Sequence, residues 1–328
     1  MEDHEHRPAW KTLLAFAIIY LVWGTTYLAI RVGVREDPPF LLAGIRFLIA
    51  GIILYVWTIV HGERSPSARQ WVGVSIVAFL IFVMDYGLLF WAEQRVPSGV
   101  AAVMMATIPA FIALAEIILL GTQELTARLS LALVIGIGGV AVLTSRSLIF
   151  SGAAIDRRGA LALLVASISW SLGSVLTRKL ALPPGKVMSS GAQMLAGGFF
   201  LAITGAAMGE FRDFHPWTVS REAWFALLYL IVAGSIIGFT AYVWLIHHES
   251  PTKVGTYAYV NPVVAVLVGY FLGGETLGLR TVLGTLFVLT SVVLITSMKA
   301  RPQAATPIPA GSSAGAAELR SGAGSGAK

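Results

Sequence analysis

The chain has 328 residues, of which 56% are hydrophobic and only 12% charged, with a formal net charge of +6. A soluble globular fold could not cover that much apolar sequence with polar surface, so that class is excluded. Cysteine is absent, which excludes a disulfide frame, a thiolate metal site and a cysteine nucleophile. The Lys and Arg residues fall mainly at the ends of apolar blocks, a membrane-interface placement rather than a nucleic-acid-binding face.

Residues 1–11 are a short polar start. The apolar run from Thr12 to Val34 is too long for a signal-peptide core and lacks a small-residue cleavage site, so it predicts a retained first helix. A bilayer core needs roughly 20 apolar residues per helix. Apolar length, with charged and Pro/Gly breaks, predicts helices near 12–33, 40–60, 71–92, 97–120, 128–146, 159–179, 187–208, 223–246, 252–273 and 279–298. The segment 299–328 is rich in Ala, Gly, Ser and Pro; it reads as a disordered tail, because it has too little apolar surface to offset its ordering entropy.

The helices repeat. Trp23 matches Trp170, Arg31 matches Arg178 and Gly51 matches Gly198 at one constant offset. Trp91 with Trp244, Pro109 with Pro262 and Gly121 with Gly274 follow at a slightly larger one, so the insertion falls between Met208 and Glu222. Arg128 with Arg280 and Thr144-Ser145 with Thr296-Ser297 continue one residue short of it. Each half, 12–146 and 159–298, then holds five helices. Five is odd, so the second half enters the membrane from the opposite side. The expected fold is all-α, with ten transmembrane helices as two inverted five-helix repeats, an architecture common among secondary transporters. Loop charges are nearly balanced and favour cytoplasmic ends by a small margin.

At these residues the chain resembles the EamA-domain transporters of the drug/metabolite transporter superfamily, and within them the YedA-like drug/metabolite exporters. In the first half the resemblance lies in Val22-Trp23-Gly24-Thr25-Thr26-Tyr27, Pro38-Pro39-Phe40, Gly44-Ile45-Arg46-Phe47 and Pro97-Ser98-Gly99-Val100-Ala101-Ala102. In the second it lies in Ser167-Ile168-Ser169-Trp170, Tyr257-Ala258-Tyr259-Val260-Asn261-Pro262 and Gly273-Gly274-Glu275-Thr276-Leu277. The resemblance implies two EamA repeats, ten helices and export of small metabolites or drugs, without fixing the substrate.

Several residues are candidates for the transport chemistry. Asp85 lies within the third helix. An intramembrane carboxylate costs at least ~2.5 kcal/mol and faces a cavity or a partner. Its readings are a proton-coupling or cation-binding group, a structural partner for Arg46 or for hydroxyls, and a group snorkelling to water. Glu116 is nearer the end of the fourth helix and could snorkel to the interface. By helical rise the two acids differ in depth by roughly 20 Å, which makes them separate stations. Arg46 has Gln193 as its repeat mate, a hydrogen-bonding group without the charge. Trp23, Tyr27, Trp170, Tyr257 and Tyr259 are candidate cavity aromatics, suited to apolar or cationic substrates; the alternative for such residues is an interfacial belt. Pro109 and Pro262 each remove a backbone bond and predict kinks in the fourth and ninth helices. Asn261 beside Pro262 could satisfy a freed carbonyl or touch substrate.

Other patterns carry nothing. Gly136-X-Gly138-X-X-Ala141 lies inside a membrane helix with no preceding strand, and Gly311-X-Ser313-X-Gly315 lies in the tail. His247-His248-Glu249 lacks metal-ligand spacing. The expectation is a secondary-active exporter of a small molecule across the cell membrane, with the lipid bilayer and a proton gradient as its partners. It is expected to be no enzyme and to need no metal or other cofactor. A passive facilitator or importer is the alternative within transport; a non-transporting receptor or scaffold is the alternative outside it.

Overall fold

The computed structural model describes residues 9–121, 125–144, 155–248 and 257–296. The expected tail lies outside these residues. All regular elements among the described residues are helical: α1 (Ala9–Gly33), α2 (Pro39–Val60), α3 (Ala68–Glu93), α4 (Ser98–Leu120), α5 (Ala127–Thr144), α6 (Arg157–Leu176), α7 (Lys186–Ala207), α8 (Arg221–Tyr229 running on through Leu230–Ile237 and Gly238–His248), α9 (Tyr257–Phe271) and α10 (Leu279–Thr296). Seven of these helices, α1 to α4 and α6 to α8, are long and apolar enough to cross a bilayer, and α5, α9 and α10 contain shorter apolar stretches. Their outward faces are apolar, with Leu13, Trp57, Ile118, Ile137 and Phe225 exposed, as lipid contact requires.

The closest packing joins helices that the repeat matches. On α2 and α7, glycines let the backbones touch. An added Cβ at Gly51 would stand 2.5 Å from the Leu195 nitrogen, and one at Gly198 would stand 2.5 Å from the Leu48 nitrogen. Gly44 meets Ala202 and Gly191 meets Tyr55 in the same way. As α2 ascends, its partners on α7 descend, so the two matched helices run antiparallel. The same holds for α5 and α10, where Gly136 meets Ser291 and Gly139 meets Val288. Small residues thus replace apolar burial as the source of close contact, as expected in lipid. The rest of the bundle follows the same exchange: α1 packs on α8 and α9, while α6 packs on α3 and α4.

Turn geometry repeats as well. The positive-φ residues of the described chain are Gly62, Gly121, Gly209 and Gly274, with φ of 87°, 63°, 82° and 63°. Gly62 and Gly209 stand at the offset that relates Trp23 to Trp170, and Gly121 and Gly274 at that of Trp91 and Trp244. Each pair stops equivalent helices, where only glycine enters the left-handed region without strain. The residue after Gly209, Glu210, caps the start of α2 by accepting from Phe40 N at 3.3 Å and Leu41 N at 2.7 Å. Its counterpart Glu63 stands against Gly185, the N-cap of α7.

Candidate functional site

The fourth helix does not run straight. Pro109 cannot donate to the Met105 carbonyl, and the α-helix stops at Met105 and restarts at Ile108. Thr107 bridges the break, its Oγ1 donating to the Met104 carbonyl at 2.7 Å. The matched proline behaves differently: Pro262 lies inside α9, which is assigned as one continuous helix. The chain also widens to π-helical pitch in α3 (Phe79–Gly87), in α8 (Leu230–Ile237) and at the end of α4 (Glu116–Leu120). Such bulges shift side chains around the helix and gather at functional sites.

A cavity of about 280 Å³ lies where α4 faces α9. Its wall includes Tyr27, Pro109, Glu116, Tyr257, Asn261 and Pro262, six of the residues singled out in the sequence, with Met105, Ile112 and Ile295 as apolar lining. Asn261 turns its amide toward α1, where the Ile19 and Tyr20 carbonyls lie at 3.2 Å, so it ties α9 to α1 as well as lining the cavity. Trp23 stands behind this wall: its ring meets Tyr257 edge-on at 5.4 Å, and Nε1 donates to the Gly234 carbonyl at 3.0 Å. Gly234 and Gly238 leave room for α1 at Thr26 and Trp23, so their spacing serves internal packing. Tyr259 belongs to α9, but its side chain lies outside the described residues.

A second aromatic group surrounds Arg46. The guanidinium is buried and lies over Phe47, Tyr86 and Phe90 at 4.7, 5.4 and 6.0 Å. Nε donates to Ser235 Oγ at 2.9 Å, and Nη1 has no hydrogen-bond partner among the described residues. Trp170 meets Tyr86 edge-on at 5.8 Å. Asp85 is also buried, and its Oδ1 has no partner among the described residues. It interacts electrostatically with Tyr27 and Tyr86, and no ion pair joins it to Arg46 among the described residues. Gln193 is spent locally, donating to Ser189 Oγ at 3.0 Å.

The two ion pairs between described residues use the two matched arginines. Arg31 pairs with Glu275 at 3.4 Å and Arg178 with Glu116 at 2.6 Å. They lie at opposite ends of α4: Glu275 accepts from Ser98 at its start, and Glu116 opens its last turn. Glu116 therefore has a cation of its own. Two buried acids escaped the sequence reading, Asp37 and Glu93; Glu93, at the end of α3, is fully buried and neither carboxyl oxygen has a partner among the described residues. Among the described residues no cluster of His, Asp or Glu could hold a metal.

Comparison with known proteins places this geometry. The EamA-like transporter family matches residues 10–145 and 157–297. The inner membrane transporter YedA of Escherichia coli strain K12 is 38% identical over 284 residues, which is 86% of this chain and 89% of that one. The transporter YvbV of Bacillus subtilis strain 168 is 26% identical over 302 residues, covering 92% and 97%. A solved crystal structure shares the fold with a TM-score of 0.58 at 22% identity, covering 87% of this chain and 96% of the other. Two motifs that carry the resemblance touch in space, since Glu275 bonds Ser98 and Gly99. The chain is a multi-pass protein of the cell membrane and belongs to the EamA-like transporter family.

Proposed function

We propose that this transporter exports a small metabolite or drug by alternating access, driven by a proton gradient, through ten spans arranged as two inverted repeats, 12–146 and 159–298, with cytoplasmic ends. One observation carries the reading: the cavity sits on the seam between α4 and α9, which the repeat matches, and a bonded ion pair closes the end where α4 begins. Two further features support it. The matched pairs α2/α7 and α5/α10 run antiparallel, as halves of opposite orientation require. The break at Pro109 and the proline of α9 give the cavity walls places to bend.

The test is flux in proteoliposomes containing the purified chain, with a substrate panel and an imposed proton gradient. Gradient-driven accumulation of at least one solute, absent from empty liposomes, is the expected result. Equilibration without accumulation would instead mark a facilitator. No flux of any solute, with the protein folded and inserted, would leave a non-transporting membrane role.

A further inference from the structure

Three ionisable groups meet where α1, α3 and α9 end and α4 begins. Arg31, in the last turn of α1, donates through Nη1 to the Glu93 carbonyl at 2.7 Å and the Val96 carbonyl at 2.5 Å, at the C-terminal end of α3. Glu275, just after α9, accepts from Ser98 N and Oγ at 2.7 Å each and from Gly99 N at 3.1 Å, in the first turn of α4. Each charge complements the helix dipole it faces, and the two side chains meet at 3.4 Å. The third group is the Glu93 side chain. It is fully enclosed, and neither oxygen has a donor among the described residues, although Arg31 bonds the backbone carbonyl of the same residue.

Charged and titratable neighbours of Glu93 come from several elements. Arg31 and Tyr27 face it from α1, and Glu275 from beyond α9. From α2, Arg46 lies against Phe90, about one turn deeper. From α6, Gly159 packs on Val96 and the Ala92 carbonyl. Among the described residues the cation beside it is Arg31, which is committed to Glu275 and to two carbonyls. A carboxylate enclosed in a membrane protein, with no hydrogen-bond donor among the described residues and its neighbouring cation held by another acid, is too costly to stay ionised, so it holds its proton.

We propose that Glu93 is a proton-binding site of this transporter, and that Arg31 passes from Glu275 to Glu93 as this end of the bundle opens. This rests on the transport reading and adds the coupling site to it. Opening breaks the Arg31–Glu275 contact. Arg31 Nε, which has no hydrogen-bond partner among the described residues, then turns to Glu93. The Glu93 O–H bond breaks, the proton leaves to water entering from that end, and the carboxylate pairs with the guanidinium. One proton is released per opening, and Glu93 reloads from the opposite face once this end has closed, so that each cycle carries a proton across. Asp85 is as buried, but among the described residues no ion pair joins a cation to a second acid beside it.

The experiment needs no substrate. The chain has no cysteine, so Val100→Cys serves as a lone reporter: Val100 is buried beside Glu275 and lines a small cavity of about 80 Å³. In proteoliposomes its labelling by a membrane-impermeant maleimide is followed across a pH series. Rates are normalised to those of a separate variant whose single cysteine is exposed, which removes the intrinsic pH dependence of the thiol. With one proton released per opening, the normalised rate should rise about tenfold per pH unit through the transition. Glu93→Gln, which imitates the protonated acid, should hold the rate at its low-pH value and leave the melting temperature equal or higher. Glu93→Asp should keep the pH response. A pH response that survives Glu93→Gln, a flat response in the parent, or a melting temperature lowered by Glu93→Gln would each overturn the proposal. Absence of flux in the substrate panel leaves this assay standing. Flux together with pH-insensitive labelling refutes the coupling site alone.

Discussion

Replacing Gly198 by alanine tests the seam between α2 and α7. The added methyl would sit 2.5 Å from the Leu48 nitrogen, about 0.9 Å inside the 3.4 Å at which ordinary contact begins, and the atom it meets is backbone, which cannot rotate away. The helices must part or shift along their extensive contact. A gap of 0.5–1 Å forfeits roughly a quarter to a half of each contact well, and overpacking of this kind costs about 1–3 kcal/mol. Gly51→Ala places its methyl 2.5 Å from the Leu195 nitrogen and should cost the same within error. The double variant should cost less than the two singles together, because helices already parted by one methyl admit the second. The assay is thermal unfolding in detergent with tryptophan fluorescence, at a fixed scan rate. Gly62→Ala is the control: its added Cβ meets nothing within 4 Å, so its cost, about 1 kcal/mol, comes from the positive φ alone. A neutral Gly198→Ala, or a cost unlike that of Gly51→Ala, would refute the two-fold seam.

Other outcomes follow from the same structure. Burial, and then the charge of Glu36, raises the Asp37 carboxyl from 3.8 to about 6. The protonated form therefore favours the fold, and that stability is present at low pH and lost as pH rises through this window. Asp37→Asn should flatten the fall and stabilise the protein at neutral pH by on the order of 1–2 kcal/mol, read from melting temperature against pH. Glu36 works with the opposite sign, because the backbone and side chain of Ser220 hold its carboxyl low; its contribution fades as pH falls, and Glu36→Gln should remove that acid-side loss in the same scans. Glu210→Ala removes the acceptor for Phe40 N and Leu41 N and should cost about 1–2 kcal/mol by thermal unfolding, as for other lost caps; an unchanged melting temperature would deny the cap. Asp85→Asn keeps shape and removes charge. With coupling carried by Glu93, gradient-driven accumulation should match the parent at equal expression; accumulation lost while exchange persists would move the coupling site to Asp85.

Much of this was readable in the sequence, for physical reasons. Membrane helices announce themselves by apolar length, and the matched Trp, Arg, Pro and Gly residues mark the repeat because each holds an equivalent position in its half. Tyr27, Tyr257 and Asn261 are separated in sequence and line one wall, and Glu116, which the sequence placed toward the interface, lines it with them. Gly62-Glu63 and Gly209-Glu210 carried the same offset and were available as a signal, yet short polar turns look interchangeable until their caps are seen. Glu93 was not readable. At a helix end it resembles any interfacial acid, and the segments packed around that end, Arg31 of α1 on its backbone carbonyl and Gly159 of α6 on Ala92 and Val96, come from elsewhere in the chain. Pro109 and Pro262 looked alike, but only the first sits at a helix break, which Thr107 bridges by bonding back to Met104.

The glycine faces of α2 and α7 bear on how the chain is made. The ribosome delivers α2 long before its partner. Until α7 arrives, the strip around Gly44 and Gly51 has only lipid to cover it, and lipid tails fit a bare backbone groove poorly. The first half is thus held in the bilayer as an unfinished surface, and the matching strip on α7 has the same shape. A chain cut between the halves would leave α2 without its mate, and the nearest surface of suitable shape would be α2 of another cut chain. Premature termination should therefore give paired half-molecules, assembled from two products of one message, in place of isolated five-helix monomers.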